Sequence, residues 1–549
     1  MSTTSGQNSM ARLQTFPSLS AGDLYAVLMR REEVAVIDVR EARFYAQGHI
    51  NLSAHSALSS LELQVLRSVP RPQVCVVLVD DDGADGGAAE QAMSVLAALS
   101  FTHVRLLEGG IKGWQASGYS LGTGYNTLVK AFADLAHAHY ATPTLTPAQL
   151  EARFERGQPT TVIDCRPEFE YQKTSIGRAL NVPGVELALQ ELSRTDEADH
   201  LYVISCFSRT RGIVATTTLA LLNGVSNVAF LQDGVMASFL YGLPTGPGDA
   251  QLPSPGRLAP DEVLRQHTAT LVQRHGLKVI DHAQFLQLHA ERDQRTLYVF
   301  DVRPEAAYRA GHLAHAVSVP GGQLLMTYDA HVPVRHARIV LVDDGHLKRA
   351  AVTAFWLSHF DNADIYVLSL DDAGVTLVTE APADALPAAV RWLAPQQVQE
   401  HLAAGLPVLD VGPSLDYEQG HLPGAKFVLR PSLAAWLETQ PPGPLVFTSP
   451  DGVNAAYAAA HVSRTLGLEA YALKGGTQAW RAAGLEVEEA FEPQQLLSPF
   501  DDDWGSTMRA KVNREQIFRD YLTWERGLGH DIARDDTVQF RWPDTVTNP

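Results

Sequence analysis

One short stretch of this chain has the makings of a nucleophile. Residues 203–215, VISCFSRTRGIVA, run three apolar or small residues into Cys206, then two arginines, Arg209 and Arg211, then Gly212 and the start of a predicted helix. The thiolate is the reactive form of cysteine, and a free thiol with a pKa near ~8.5 is mostly protonated at neutral pH. A loop of successive backbone N–H groups that leads into a helix N-terminus makes a nest for an anion. Arg209 and Arg211 add positive charge that no physiological pH removes. The expectation is that Cys206 is held as a thiolate, and that Phe207, Ser208, Arg209, Thr210, Arg211 and Gly212 bind a small anion in front of it.

The elements that position this loop occur four times. Apolar strands end at Asp38 (VAVIDVRE), Asp164 (TTVIDCRP), Asp301 (LYVFDVRP) and Asp410 (LPVLDVGP). Gly48-His49, Thr174-Ser175, Gly311-His312 and Gly420-His421 follow these aspartates at matching distances. A second apolar strand then ends at Asp80, Cys206, Asp343 and Ser449, which lie 42, 42, 42 and 39 positions after the four aspartates. Glycine elements close three units, LEGGIKGW, LQDGVMAS and LKGGTQAW, while the third unit has only SLDDAG at 369–374. Each unit reads as strand, loop, strand, helix, short strand and glycine turn, which predicts a parallel sheet covered on both faces. Ligands of such sheets sit beyond the carboxyl ends of the strands, where Cys206 lies. The helix from Ile213 is expected to end at Asn223-Gly224.

These units give an α/β chain of four tandem domains at 17–125, 143–250, 276–385 and 391–490. A tail at 491–549 carries one amphipathic helix, VNREQIFRDYLTWERGL, that docks on a domain or on a second subunit. The segment NTLVKAFADLAHAHYATPTLTP joins the first two units with helical periodicity, and GPGDAQLPSPGRLAP is the expected hinge between the two pairs. The net charge of −19 argues against nucleic acid or an anionic membrane as partner. The N-terminal residues show no apolar signal region, and no run approaches a membrane span. Three cysteines in 549 residues form no disulfide framework. The chain therefore reads as cytoplasmic.

The Asp-Val-Arg…Gly-His element, the strand ending in Cys with its loop, and the Gly-Gly-x-x-x-Trp closure resemble the rhodanese family of sulfurtransferases. The resemblance extends to about residue 490 as four rhodanese-like domains. It implies a thiosulfate sulfurtransferase in which a cysteine takes up a sulfane sulfur as a persulfide and passes it to a thiol or cyanide. The family's cysteine position falls on Asp80, Cys206, Asp343 and Ser449, so only the second unit keeps it and the other three are expected to be silent. The second unit also replaces Gly-His by Thr174-Ser175 and the closing Trp by Ser238. The implied partners are a small-molecule donor such as thiosulfate and a small acceptor. No cofactor or metal is implied, and a homodimer is left open.

Two other classes compete with this reading. A phosphatase of related fold needs five residues between Cys and Arg, whereas Cys206 and Arg211 enclose four and position 212 is glycine. A non-enzymatic sulfur carrier or interaction scaffold is the alternative that three lost sites favour. Arg178 is a weaker ligand candidate, since Ser53 and Gly424 take its place in units one and four. Arg166 reads as a structural partner of Asp164, because Arg40 and Arg303 recur in units that lack the nucleophile. Cys75 and Cys165 read as core, the histidines as structural, and the acidic runs at 80–82 and 501–503 as solvated or capping carboxylates.

Overall fold

The computed structural model describes residues 16–84, 86–192, 199–249, 252, 256–360, 362–380, 386–441 and 443–542. The expected domain ends at 250 and 385, part of the 246–260 linker, the first 15 residues and the last seven of the tail lie outside them.

Four five-stranded sheets repeat one topology. In the second domain the strands are Thr144–Leu145, Val228–Leu231, Leu201–Ser205, Thr160–Asp164 and Leu180–Asn181, in that spatial order, and every pairing is parallel. The central pair, Leu201–Ser205 and Thr160–Asp164, is apolar and largely buried because helices cover both faces of the sheet. The repeated aspartates close these strands. Arg166 grips Asp164 at 2.6–3.2 Å, and Arg40 and Arg303 grip Asp38 and Asp301 in the same way. In the fourth domain Gly412 takes the arginine's place, and burial pushes the uncompensated Asp410 carboxyl up to about 7.

The Gly-His pairs have a packing role. His49, His312 and His421 stack on Tyr45, Tyr308 and Tyr417 at 3.8–4.0 Å between ring centroids. In the second domain Ser175 donates instead to Asp164 at 2.7 Å. The glycine elements hold the loop after the central strand. The amides of Ile111, Val235 and Thr477, in the first turns of helices Gly110–Ala116, Gly234–Tyr241 and Gly476–Ala482, donate to the carbonyls of Asp80, Cys206 and Ser449 at 2.9–3.0 Å. At Gly234 (φ 51°) a Cβ would stand 2.1 Å from the Cys206 carbonyl oxygen, so only glycine fits. The degraded third unit keeps one such bond, Leu370 N–H to the Asp343 carbonyl at 2.8 Å, and no helix follows it.

The domains pack with the carboxyl edges of their sheets facing in pairs. Domain two meets domain three through Glu186 and Arg349 (2.6 and 2.9 Å) and through Trp356 Nε1 donating to Thr218 (2.8 Å). Domain one meets domain four through a buried ion pair, Glu62 with Arg430 at 2.6 Å. Domains one and three share a seam in which Tyr298 donates to the Ser68 carbonyl at 2.7 Å. The linker between the first two domains forms helix Thr127–His139, and the tail forms helix Arg514–Ile532, packed on that linker helix and on domain two. The expected hinge carries a strand, Gly256–Leu258, paired antiparallel with Gln190–Leu192. No helix among the described residues is long and apolar enough to cross a membrane.

Candidate active site

Cys206 is the first residue beyond the central strand of the second domain, and helix Thr210–Thr217 begins just after it. That helix continues as a short π-helical turn to Leu222, with Asn223 as its C-cap. The Gly212 amide lies close enough to the Cys206 sulfur to lower its pKa. A Cβ on Gly212 would fall 2.6 Å from the Phe230 ring, so glycine lets the helix pack this closely on that ring. Val235 and Met236 amides donate to the carbonyls of Cys206 and Phe207 at 2.9 and 3.1 Å. The loop is thus fixed at both ends by helix N-termini.

The other three domains put an oxygen in the same nest. Asp80 accepts from the Gly83 and Ala89 amides at 2.8 and 3.1 Å. Asp343 accepts from the Asp344 and Ala350 amides at 2.9 and 3.1 Å, and Ser449 accepts from the Ala455 amide at 3.3 Å. A carboxylate in two of four nests is what helix-terminal amides favour. The same amides favour a thiolate or a persulfide at Cys206.

The arginines are committed elsewhere. Arg211 makes a two-point pair with Glu170 at 2.6 and 2.8 Å. Arg209 is held by Asp134 at 2.9 Å and by Asp233 at 2.8 Å. Arg178 sits on an exposed turn in left-handed backbone (φ 68°), outside the buried cluster around Cys206. Thr210 and Phe207 are buried in the loop itself.

A cover that the sequence expectation did not place at this site closes it. The C-terminal helix lays Phe518 against Phe207, with ring centroids 5.7 Å apart, and its Glu525 accepts from the Ser208 hydroxyl at 3.1 Å. Lys130, on the linker helix, is buried against Trp524 and Tyr521 and donates to the Tyr125 carbonyl at 2.6 Å. Cys206 is only 2% exposed beneath this cover. Burial is the main influence on its thiol, which is pushed up to about 11, with the nearby Glu525 adding to the rise. Arg211, the Gly212 amide and Arg166 oppose the shift without overcoming it. Burial thus opposes the expected thiolate: desolvation raises the Cys206 thiol more than the arginines, already paired with carboxylates, lower it. Burial also raises Glu525 to about 7 and lowers Lys130 to about 8. The sequence carried one signal for this cover. Phe518, Leu522 and Glu525 fall on one face of the tail helix, so its apolar stripe includes a carboxylate.

Cys165 and Cys75 also carry thiols raised by burial. Cys165 lines a cavity of about 550 Å³ where domains two and three meet, together with Arg211, Thr210, Met326, Val352 and Trp356. In domain three, Asp343, Asp344 and His346 lie close together. Arg349 pairs with Asp344 at 2.8 Å, and His346 Nε2 lies 2.9 Å from the other Asp344 oxygen.

With this geometry in place, comparison with known proteins assigns the family. A rhodanese-like domain model matches residues 20–117, 146–238, 282–371 and 394–483. The chain belongs to the rhodanese-like family. A solved thiosulfate sulfurtransferase from Pseudomonas aeruginosa is 32% identical, with a TM-score of 0.87 over 96% of this chain and 99% of that one. The Mycobacterium tuberculosis protein SseB, provisionally described as a thiosulfate sulfurtransferase, is 29% identical over 133 residues. That match covers 19% of this chain and spans 46% of SseB's length. The four sheets are thus four tandem rhodanese domains of a sulfurtransferase family, and the tail helix lies beyond the last of them.

Proposed function

We propose that this rhodanese chain transfers a sulfane sulfur from thiosulfate, or a similar anionic donor, to a thiol or cyanide through a persulfide on Cys206. The Cys206 thiol gives up its proton to solvent, and the resulting thiolate attacks the outer sulfur of the donor. The donor's S–S bond breaks, its electron pair leaves with sulfite, and Cys206 keeps the outer sulfur as an anionic persulfide. The acceptor then attacks that sulfur, the Cys–S bond pair returns to Cys206, and the modified acceptor departs.

The observation that carries this reading is a contrast between the four nests. Helix-terminal amides face an oxygen in three of them and a thiol in one, and neither a carboxylate nor a serine hydroxyl can hold a persulfide. Domains one, three and four are on this account silent scaffolding. The likeness to a named thiosulfate sulfurtransferase over the full length supports thiosulfate as the donor to try first. Thiosulfate:cyanide turnover by the full chain tests the reading. Activity that vanishes in Cys206→Ser is expected, and activity that survives the change would overturn it.

A further inference from the structure

Where domain one meets domain four, a second cavity of about 170 Å³ has a character unlike the site of Cys206. Its lining includes Glu41, Gln64 and Asp502, and one oxygen of each is buried without a hydrogen-bond partner. Glu41 is only 5% exposed. Its other oxygen accepts from the Ser59 hydroxyl at 2.7 Å, which leaves Oε2 without a donor. Gln64 is oriented by donating its amide to Ser60 at 2.8 Å, and Asp502 by accepting the Ser414 amide at 2.7 Å. Three side chains from three separate segments, each with one buried acceptor oxygen left without a partner, thus line one space.

The neutral donors on the lining, Asn454, Ser59 and Ser60, bring no charge to answer them. No lysine or arginine belongs to it, and its one basic side chain, His55, spends both ring nitrogens on the Arg40 carbonyl (2.8 Å) and the Tyr125 hydroxyl (3.0 Å). Burial holds that imidazole neutral, with its pKa lowered to about 4. Arg430, the cation whose field reaches Glu41, is itself paired with Glu62 at 2.6 and 2.7 Å. A buried carboxylate is ordinarily paired or fully hydrogen-bonded, so the arrangement calls for a donor that carries positive charge.

We propose that this junction is a binding site for a small organic cation bearing several N–H donors, of guanidinium or primary ammonium type. A volume of about 170 Å³ is some five to six times the ~30 Å³ share of a water molecule. That suits a cation of a few heavy atoms and is generous for a bare metal ion. Burial and the nearby Asp502 push the Glu41 carboxyl up to about 7, and a bound cation would draw its proton off. Glu41 and Asp502 then supply the charge, Gln64 a neutral acceptor, and Val411, Pro413 and Leu429 an apolar wall for a short stem. Because Glu41 belongs to domain one, Val411 to domain four and Asp502 to the C-terminal segment, the ligand would clamp the two domains together. The site is independent of the sulfur chemistry at Cys206.

The test is calorimetric titration and thermal unfolding of the full chain with methylguanidinium and methylammonium, and with tetramethylammonium and Mg²⁺ as controls. The expected result is saturable binding of at least one N–H-bearing cation, with a rise in the unfolding temperature, and no binding of tetramethylammonium. Affinity should fall at least tenfold in Glu41→Gln and in Asp502→Asn. The second variant changes a less buried carboxylate and serves if the first folds poorly. No saturable binding of either N–H-bearing cation would overturn the proposal. So would equal binding of tetramethylammonium, binding of Mg²⁺ alone, or affinity unchanged in the variants.

Discussion

At the scale of single residues, the thiol of Cys206 is balanced between opposing neighbours. Glu525 raises its pKa and Arg211 lowers it, both on top of a larger rise from burial. The two substitutions should therefore move the pH profile of Cys206 alkylation in opposite directions. Glu525→Gln is expected to shift it to lower pH and Arg211→Ala to higher pH. Arg211→Ala also strips the partner from Glu170, a buried carboxylate, and should cost about 1–3 kcal/mol of stability. The check is the rate of reaction with iodoacetamide between pH 6 and 11, and a profile that stays put in both variants would contradict this electrostatic balance. The place of Cys206 between central strand and helix was legible in the sequence, because the repeats align it with Asp80, Asp343 and Ser449. The charge state was not. Arginines next to a cysteine in sequence reveal nothing of Glu170, Asp134 and Asp233, which reach them from other segments.

At the scale of elements, the helix Arg514–Ile532 lies over the loop that follows Cys206. It covers the loop through Phe518 on Phe207 and Glu525 on Ser208. Phe518 is fully buried, and truncating such a side chain costs about 3–5 kcal/mol of packing. Phe518→Ala should loosen the helix and speed alkylation of Cys206 at pH 8 by at least tenfold, measured against unchanged sheet structure. An unaltered rate would show that the helix does not limit access.

The same helix should respond to pH through Glu525, which faces Lys130, Ser208, Arg209 and Asp134. Its carboxyl is raised to about 7 when docked and returns toward 4.5 when free. The docked form thus binds more protons. Its contribution to docking is complete below about pH 4.5 and is lost as pH rises through 7. Hydrogen exchange of residues 514–532 should accelerate across that window in the native chain, and less so in Glu525→Gln. The helix itself was legible from its 3.6-residue pattern. Its docking place was not, because an apolar stripe names a face without naming what that face covers.

At the scale of the whole molecule, four domains are joined by contacts that no single repeat encodes. Domain number, the succession of strands and helices along each repeat and the closing glycines could be read from the chain, whereas the order of strands across each sheet could not. The pairing of sheet edges could not, because it rests on single long-range partners. Arg430 and Glu62, each about 6% exposed, are one of these. Removing one partner of such a buried pair costs roughly 3–5 kcal/mol, so Arg430→Ala should lower the first thermal transition of the chain, while sulfur transfer in domain two persists at low temperature. Loss of transfer without loss of stability would place domain four in the reaction rather than around it. The central claim, that one thiol in one of four nests carries the sulfur, has a direct test in the intact mass of the full chain after mixing with thiosulfate and gel filtration. The account predicts a gain of one sulfur atom, mapped by peptide analysis to Cys206, removed by cyanide and absent in Cys206→Ser. No gain in mass, or a gain that maps to Cys75 or Cys165, would contradict it.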